Sequence, residues 1–127
     1  MFITTIPQYV VGITNAKLDL TATSATVLYT APSAADFNTS VVSSILVSED
    51  SGNADTITVT ITDTANAVFS LFKVKAVAAN TTVELLTNNL VLQSGEIIKV
   101  TAATANRLHV VASIQELAIH RTPQSSL

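Results

Sequence analysis

Few residues in this chain are of types that could do chemistry, and their spacing organises none of them. Two histidines, His109 and His120, stand 11 positions apart, so neither strand nor helical periodicity puts them on one face. No cysteine accompanies them, and no carboxylate lies at a metal-ligand spacing, which removes the usual zinc sets. A solvated or interface role suits both better than catalysis. Serines and threonines are plentiful, but no Gly-x-Ser-x-Gly elbow exists to activate one. The three glycines, Gly12, Gly52 and Gly95, are too scattered to build a phosphate cradle. The acidic loop 49–55 (Glu49-Asp50-Ser51-Gly52-Asn53-Ala54-Asp55) collects oxygens of the kind Ca²⁺ takes six to eight of. Its spacing is not that of an EF-hand, however, and an acidic turn between strands explains it as well. Asp63-Thr64-Ala65-Asn66 is a second turn of that kind. Sugar recognition lacks stacking faces: there is no Trp, and only two Tyr and four Phe. Phe37, Phe69 and Phe72 are better spent in a small β core. No catalytic, cofactor-binding or metal-binding residue is assigned, and the expectation is a protein that is not an enzyme.

The elements that would carry these residues are strands. In residues 55–63, Ile57, Val59 and Ile61 alternate with Thr56, Thr58, Thr60 and Thr62, the period of two of a half-buried strand built from β-branched residues that suit a pleated surface. The turn-rich stretch before it predicts a hairpin to a strand at 41–48. Residues 97–101 follow the turn Gln93-Ser94-Gly95-Glu96. Along 108–119, Leu108, Val110, Ala112 and Ile114 point one way and His109, Val111, Ser113 and Gln115 the other. Weaker strands are expected at 17–22, 26–30, 68–77 and 81–86. Helix signals are thin: 73–80 is Ala-rich but short and uncapped, and 33–36 could make one turn after Pro32. About eight short strands separated by polar turns every 8–12 residues or so predict an all-β antiparallel sandwich or barrel.

With 127 residues the chain is one domain's length. Its hydrophobic content of 48% with net charge −3 excludes disorder. Six Lys+Arg against nine Asp+Glu cannot form a basic face, so no nucleic-acid partner is expected. No apolar run approaches the ~20 residues of a spanning helix, and no basic residue precedes Lys17, which argues against a secretory signal. The expectation is therefore a soluble protein made in the cytoplasm. The anomaly is the charged fraction, 12%, about half that of an ordinary soluble domain. Strands 41–47 and 108–119 are apolar or small on both faces. A domain with too few charges to coat itself hides surface against copies of itself or a partner.

The order of certain phrases resembles a family of small β-sandwich structural proteins of tailed-phage virions. The phrases are Thr26-Val27-Leu28-Tyr29-Thr30-Ala31-Pro32, then Val41-Val42-Ser43-Ser44-Ile45-Leu46-Val47, then the Thr-alternating strand 56–63. They continue with Leu92-Gln93-Ser94-Gly95-Glu96-Ile97-Ile98-Lys99-Val100-Thr101-Ala102 and a closing strand into Ile114-Gln115-Glu116-Leu117. Together they span residues 12–118. The resemblance implies a jelly-roll-like sandwich that assembles as a homotrimer and decorates the capsid exterior as a cement protein, with the major capsid protein as partner. The alternative within the family is a fibre, tail or baseplate module that binds a host surface or another virion protein. Outside it stands a cellular β interaction module.

The domain reading is 1–11 as an N-terminal arm or first strand, 12–119 as the β-sandwich, and 120–127 as a flexible tail. The contact residues expected on the arm are Phe2, Ile3, Ile6, Tyr9 and Val10, which are apolar, with Pro7 holding the chain extended. They serve equally well as the first strand of the domain's own core.

Overall fold

A computed structural model describes the backbone of residues 8–33 and 37–119, and the side chains of 12–33 and 39–118. Nine strands and no helix occur among these residues: β1 (Gln8–Asp19), β2 (Thr26–Thr30), β3 (Phe37–Glu49), β4 (Asp55–Thr62), β5 (Val68–Val77), β6 (Thr82–Glu84), β7 (Leu90–Gln93), β8 (Ile97–Ala102) and β9 (Leu108–Ile119). They form two antiparallel sheets. One (sheet A) has the order β1-β9-β3-β6, with β7 also on the outer edge of β3; the other (sheet B) has the order β2-β8-β4-β5.

The pairing is nested. β1 pairs with β9, β2 with β8, β3 with β6 and β7, and β4 with β5. The chain is thus one long antiparallel ribbon, closed by the 63–67 turn and rolled so that its pairs alternate between two sheets. That winding is a jelly roll, and it distinguishes the fold from an immunoglobulin-like sandwich. The eight expected strands become nine because two short strands, β6 and β7, share one position beside the long β3, pairing with Leu46–Ser48 and Thr39–Val42 respectively.

Between the sheets lies a single aliphatic core. β4 contributes Ile57, Val59 and Ile61; β8 contributes Ile98, Val100 and Ala102; β3 contributes Val42, Ile45 and Val47; β9 contributes Leu108, Val110, Ala112 and Ile114. Each set falls at alternate positions, as the sequence pattern requires, with one shift at a bulge between Val42 and Ser44.

Three expectations are corrected. The hairpin between 41–48 and 55–62 does not form: β3 and β4 are in different sheets, and the 50–54 turn arches between them. Period two tells which residues share a face, not which strand lies alongside. The strand expected at 17–22 instead starts at Gln8, stops at Asp19 and gives way to a bend at 22–24. Thr62, expected to face solvent, is buried, and its Oγ1 is the one buried side-chain polar atom without a hydrogen-bond partner among the described residues. Residues 34–36, His120 and the tail to Leu127 lie outside the described residues.

One turn depends on glycine twice over. Gly95 has φ +80°, and a Cβ there would sit 3.0 Å from Thr64 Cγ2. Its N–H donates to Ala31 O (3.1 Å), while Ala31 N donates to Glu96 O (2.8 Å). These contacts tie three loops together at one end of the sandwich.

Candidate interaction surfaces

The charge-poor composition resolves into two unlike apolar surfaces. On the outside of sheet A, register places Ile13, Gln115, Val41 and Val91 in one row, and Lys17, Val111, Leu46 and Glu84 in another. Between them runs a row of Asn15, Ser113 and Ser44. Ile13 is 78% exposed, Val91 55% and Leu46 39%, and charged side chains occur only toward the edges of these rows. β3 and β9 therefore bury one aliphatic face and present a second, Ser- and Val-lined face outward. The outside of sheet B differs: Thr56, Thr58 and Thr60 of β4 stand beside Thr101 and Lys99 of β8, a threonine-coated surface.

The second apolar surface is the edge strand β5, which pairs only with β4 among the described strands. Val68 is 61% exposed, Phe69 55%, Val74 59% and Leu71 37%. Phe69 was expected in the core, but it stands opposite Ile61 on the edge strand and its side chain is mostly exposed. Phe72 is half-buried against the core, and the side chain of Phe37 lies outside those described. Two bulges break β5: Leu71 is extra beside Val59–Thr60, and Lys73 and Val74 together oppose Thr58. Val74 has φ +53°, a left-handed conformation that a β-branched residue adopts only under strain. Its N–H is held by the Thr58 hydroxyl at 3.0 Å. Bulges of this kind twist an edge and re-aim side chains, and here they turn apolar ones outward. Between β5 and the 84–90 segment lies an open groove of about 520 Å³, lined by Leu71, Phe72, Lys75, Glu84, Leu86 and Leu90 among others.

The acidic residues hold loops in place. Glu49 is only 1% exposed. Its carboxylate accepts from Ser51 N (2.7 Å), the Ser51 hydroxyl, Gly52 N (3.1 Å) and Asn80 N (3.0 Å). Burial pushes the pKa up, but these donors outweigh it and hold it at about 2, below the ordinary 4.5. Asp55 accepts from Thr104 N (3.0 Å). At Glu84 burial acts upward too, and donation from the Ser44 hydroxyl and the amides of Ile45 and Leu86 lowers the pKa overall. These carboxylates are turned onto backbone amides, and no group of three or more His, Asp or Glu that could hold a metal ion occurs among the described residues. Depressed carboxylates contribute stability above their unfolded pKa and lose it as pH falls through the folded value. Stability is therefore expected to fall between about pH 4.5 and about pH 2. Glu49→Gln is expected to lower stability at neutral pH and flatten that acid limb, read by urea unfolding at stepped pH.

A polar bridge joins the sheets at the other end. The Tyr29 hydroxyl of β2 donates to Glu116 Oε2 of β9 (2.5 Å) and lies 3.0 Å from the hydroxyl of buried Ser40 in β3. Burial, then the carboxylate acceptor, pushes the Tyr29 pKa up to about 12. A spectrophotometric titration should show one of the two tyrosines ionising near pH 12, and Tyr29→Phe should delete that step. The same substitution is expected to cost about 1–3 kcal/mol, the scale of a hydrogen bond to a charged group.

This jelly roll has a counterpart among solved structures. A chain in the structure of infectious bursal disease virus, Gx strain, superposes with a TM-score of 0.53 at 11% identity, over 93% of this chain and 33% of that one. Likeness at that identity is a likeness of fold, and this chain spans about a third of its neighbour's length. No family model and no curated protein matches the sequence. Among the described residues no helix is long and apolar enough to cross a membrane.

Of the contact residues expected from the sequence, Phe2, Ile3 and Ile6 lie outside the described residues. Tyr9 and Val10 are in β1, with backbones opposite Ala118 and Leu117. His109 sits on the outer face of sheet A, its Nε2 3.2 Å from Asp19 Oδ1 and its Nδ1 3.8 Å from Asp50 Oδ2. Residue spacing hid this cluster because strand pairing creates it: Asp19 is the cross-strand neighbour of His109. The β5 surface was also missed, since an alternating apolar strand reads as core until its neighbours are known.

Proposed function

We propose that this chain is a non-enzymatic virion structural protein, a jelly roll that decorates and stabilises the exterior of a phage capsid as a homotrimeric cement protein, with the major capsid protein as partner. The phage setting and the trimer come from the sequence resemblance. The jelly roll and its likeness to a chain of a virus structure agree with a virion role. The observation that carries the reading is the presence of two different apolar surfaces on one small domain, the outside of sheet A and the β5 edge. A two-fold dimer needs one self-complementary patch, whereas a cyclic ring needs two unlike patches that meet head to tail. In such a ring the sheet A face of each copy receives the β5 edge of the next.

Stabilisation then follows by mass action. A ligand that binds only the mature shell stabilises it by RT ln(1 + [L]/Kd), and three linked copies raise the effective concentration of the second and third contacts. The test is sedimentation of purified protein with expanded and with immature shells. Saturable binding to expanded shells alone is expected. Binding to neither, with binding to host cells instead, would favour the fibre or baseplate alternative.

A further inference from the structure

We infer that the N-terminal residues 1–6 of one copy add as a strand to the free edge of β5 on a neighbouring copy and seat apolar side chains in the groove beside it. The inference rests on the ring proposed above and names the contact that locks it. β5 offers what strand addition needs: an edge that pairs with no other described strand, exposed apolar side chains at Val68, Phe69, Leu71 and Val74, and a groove along it. The strained conformation of Val74 is retained with its side chain outward, and strain of this kind clusters at ligand clamps and other functional positions. The occupant fits by chemistry. Met1-Phe2-Ile3-Thr4-Thr5-Ile6 carries no charged side chain, and alternate residues of an added strand fill pockets while its backbone supplies the hydrogen bonds.

Register fixes where that segment leaves the domain. Gln8 lies opposite Ile119, Phe37 opposite Ala118 and Thr39 opposite Gln93. Ile97 lies opposite both Thr30 and Thr62, and Thr62 opposite Val68. Gln8 and the start of β5 are therefore at the same end of the sandwich but at opposite lateral margins, because β1 flanks β2 and β5 is three strands from β2. Three strand spacings and one sheet separation amount to about 17 Å, against a reach of about 25 Å for seven extended residues. Crossing to its own β5 would take up about five of the seven residues before Gln8, so residues 1–6 could not also lie along that edge. The neighbour's β5, brought against the sheet A face where β1 runs, is within reach of the whole segment.

The chain has no cysteine, so an engineered pair reports on a single contact. Ile3→Cys on tagged full-length chains is mixed with Leu71→Cys on untagged chains, with Asn53→Cys, on an exposed loop at the far end, as control. Under mild oxidation the 3–71 heterodimer is expected to form about tenfold or more faster than the 3–53 product, as effective concentration requires. Val68→Cys provides a second acceptor position on the same edge, and circular dichroism confirms that each variant is folded. Equal rates for positions 71, 68 and 53, or a monomeric 3–71 product in the doubly substituted chain, would overturn the inference. Scattering mass of the unmodified protein separates the two levels. A trimer without preferential cross-linking removes the arm exchange and leaves the proposed ring; a monomer removes both.

Discussion

Ile98→Ala is expected to cost about 2–5 kcal/mol, the range measured for truncating large aliphatic side chains in well-packed cores. Ile98 is fully buried in β8, with β2 on one side and β4 on the other, opposite Tyr29 and Ile61. Its neighbours are held by ladders on both flanks, so the cavity left by the side chain cannot collapse easily. Against a total stability of about 5–15 kcal/mol for a domain of this kind, the loss is a large fraction. It should appear as a fall in Tm of roughly 10 °C or more, each kcal/mol being worth a few degrees at this size. Asn53→Ala, on an exposed loop, should stay within about 0.5 kcal/mol. A loss below about 1 kcal/mol at Ile98 would mean that the two sheets do not close over β8 as described.

The second large effect concerns assembly and leaves the fold alone. Ile13 and Val91 stand at the two ends of one row across sheet A and are both mostly exposed, so Ile13→Asp with Val91→Asp should leave thermal unfolding of the subunit nearly unchanged. In the ring each new carboxylate would be buried without a partner. An uncompensated buried charge costs about 3–5 kcal/mol, or about 10²–10⁴-fold in Kd for each site. The double variant should therefore be monomeric at micromolar concentration where the parent is not. Retention of the parent mass would show that sheet A's outer face is not an interface.

The parts of this fold legible in the sequence are those that period two can reach. The alternation of Ile57, Val59 and Ile61 and of Leu108 through Ile114 gave both the strands and their buried faces, and β2, β5 and β9 have the expected limits. Strand neighbours were not legible: the turn after Glu49 looks like a hairpin turn, but the long β3 is claimed by β9 on one edge and by β6 and β7 on the other. β7 was hidden because Leu90, Val91 and Leu92 run straight into the turn at 93–96. The scarcity of charge pointed to apolar surface left outside the core, and the two-faced apolar character of β3 and β9 located one such surface. The other, on β5, depends on being an edge, which only the ribbon's winding determines.

The central claim, that two unlike apolar surfaces join copies into a closed ring, is tested most directly by the absolute molar mass of the purified protein. Light scattering on a sizing column at micromolar concentration, repeated after dilution, is sufficient. A stable mass about three times the 13.3 kDa of one chain is expected. A mass of one chain at every concentration would contradict it.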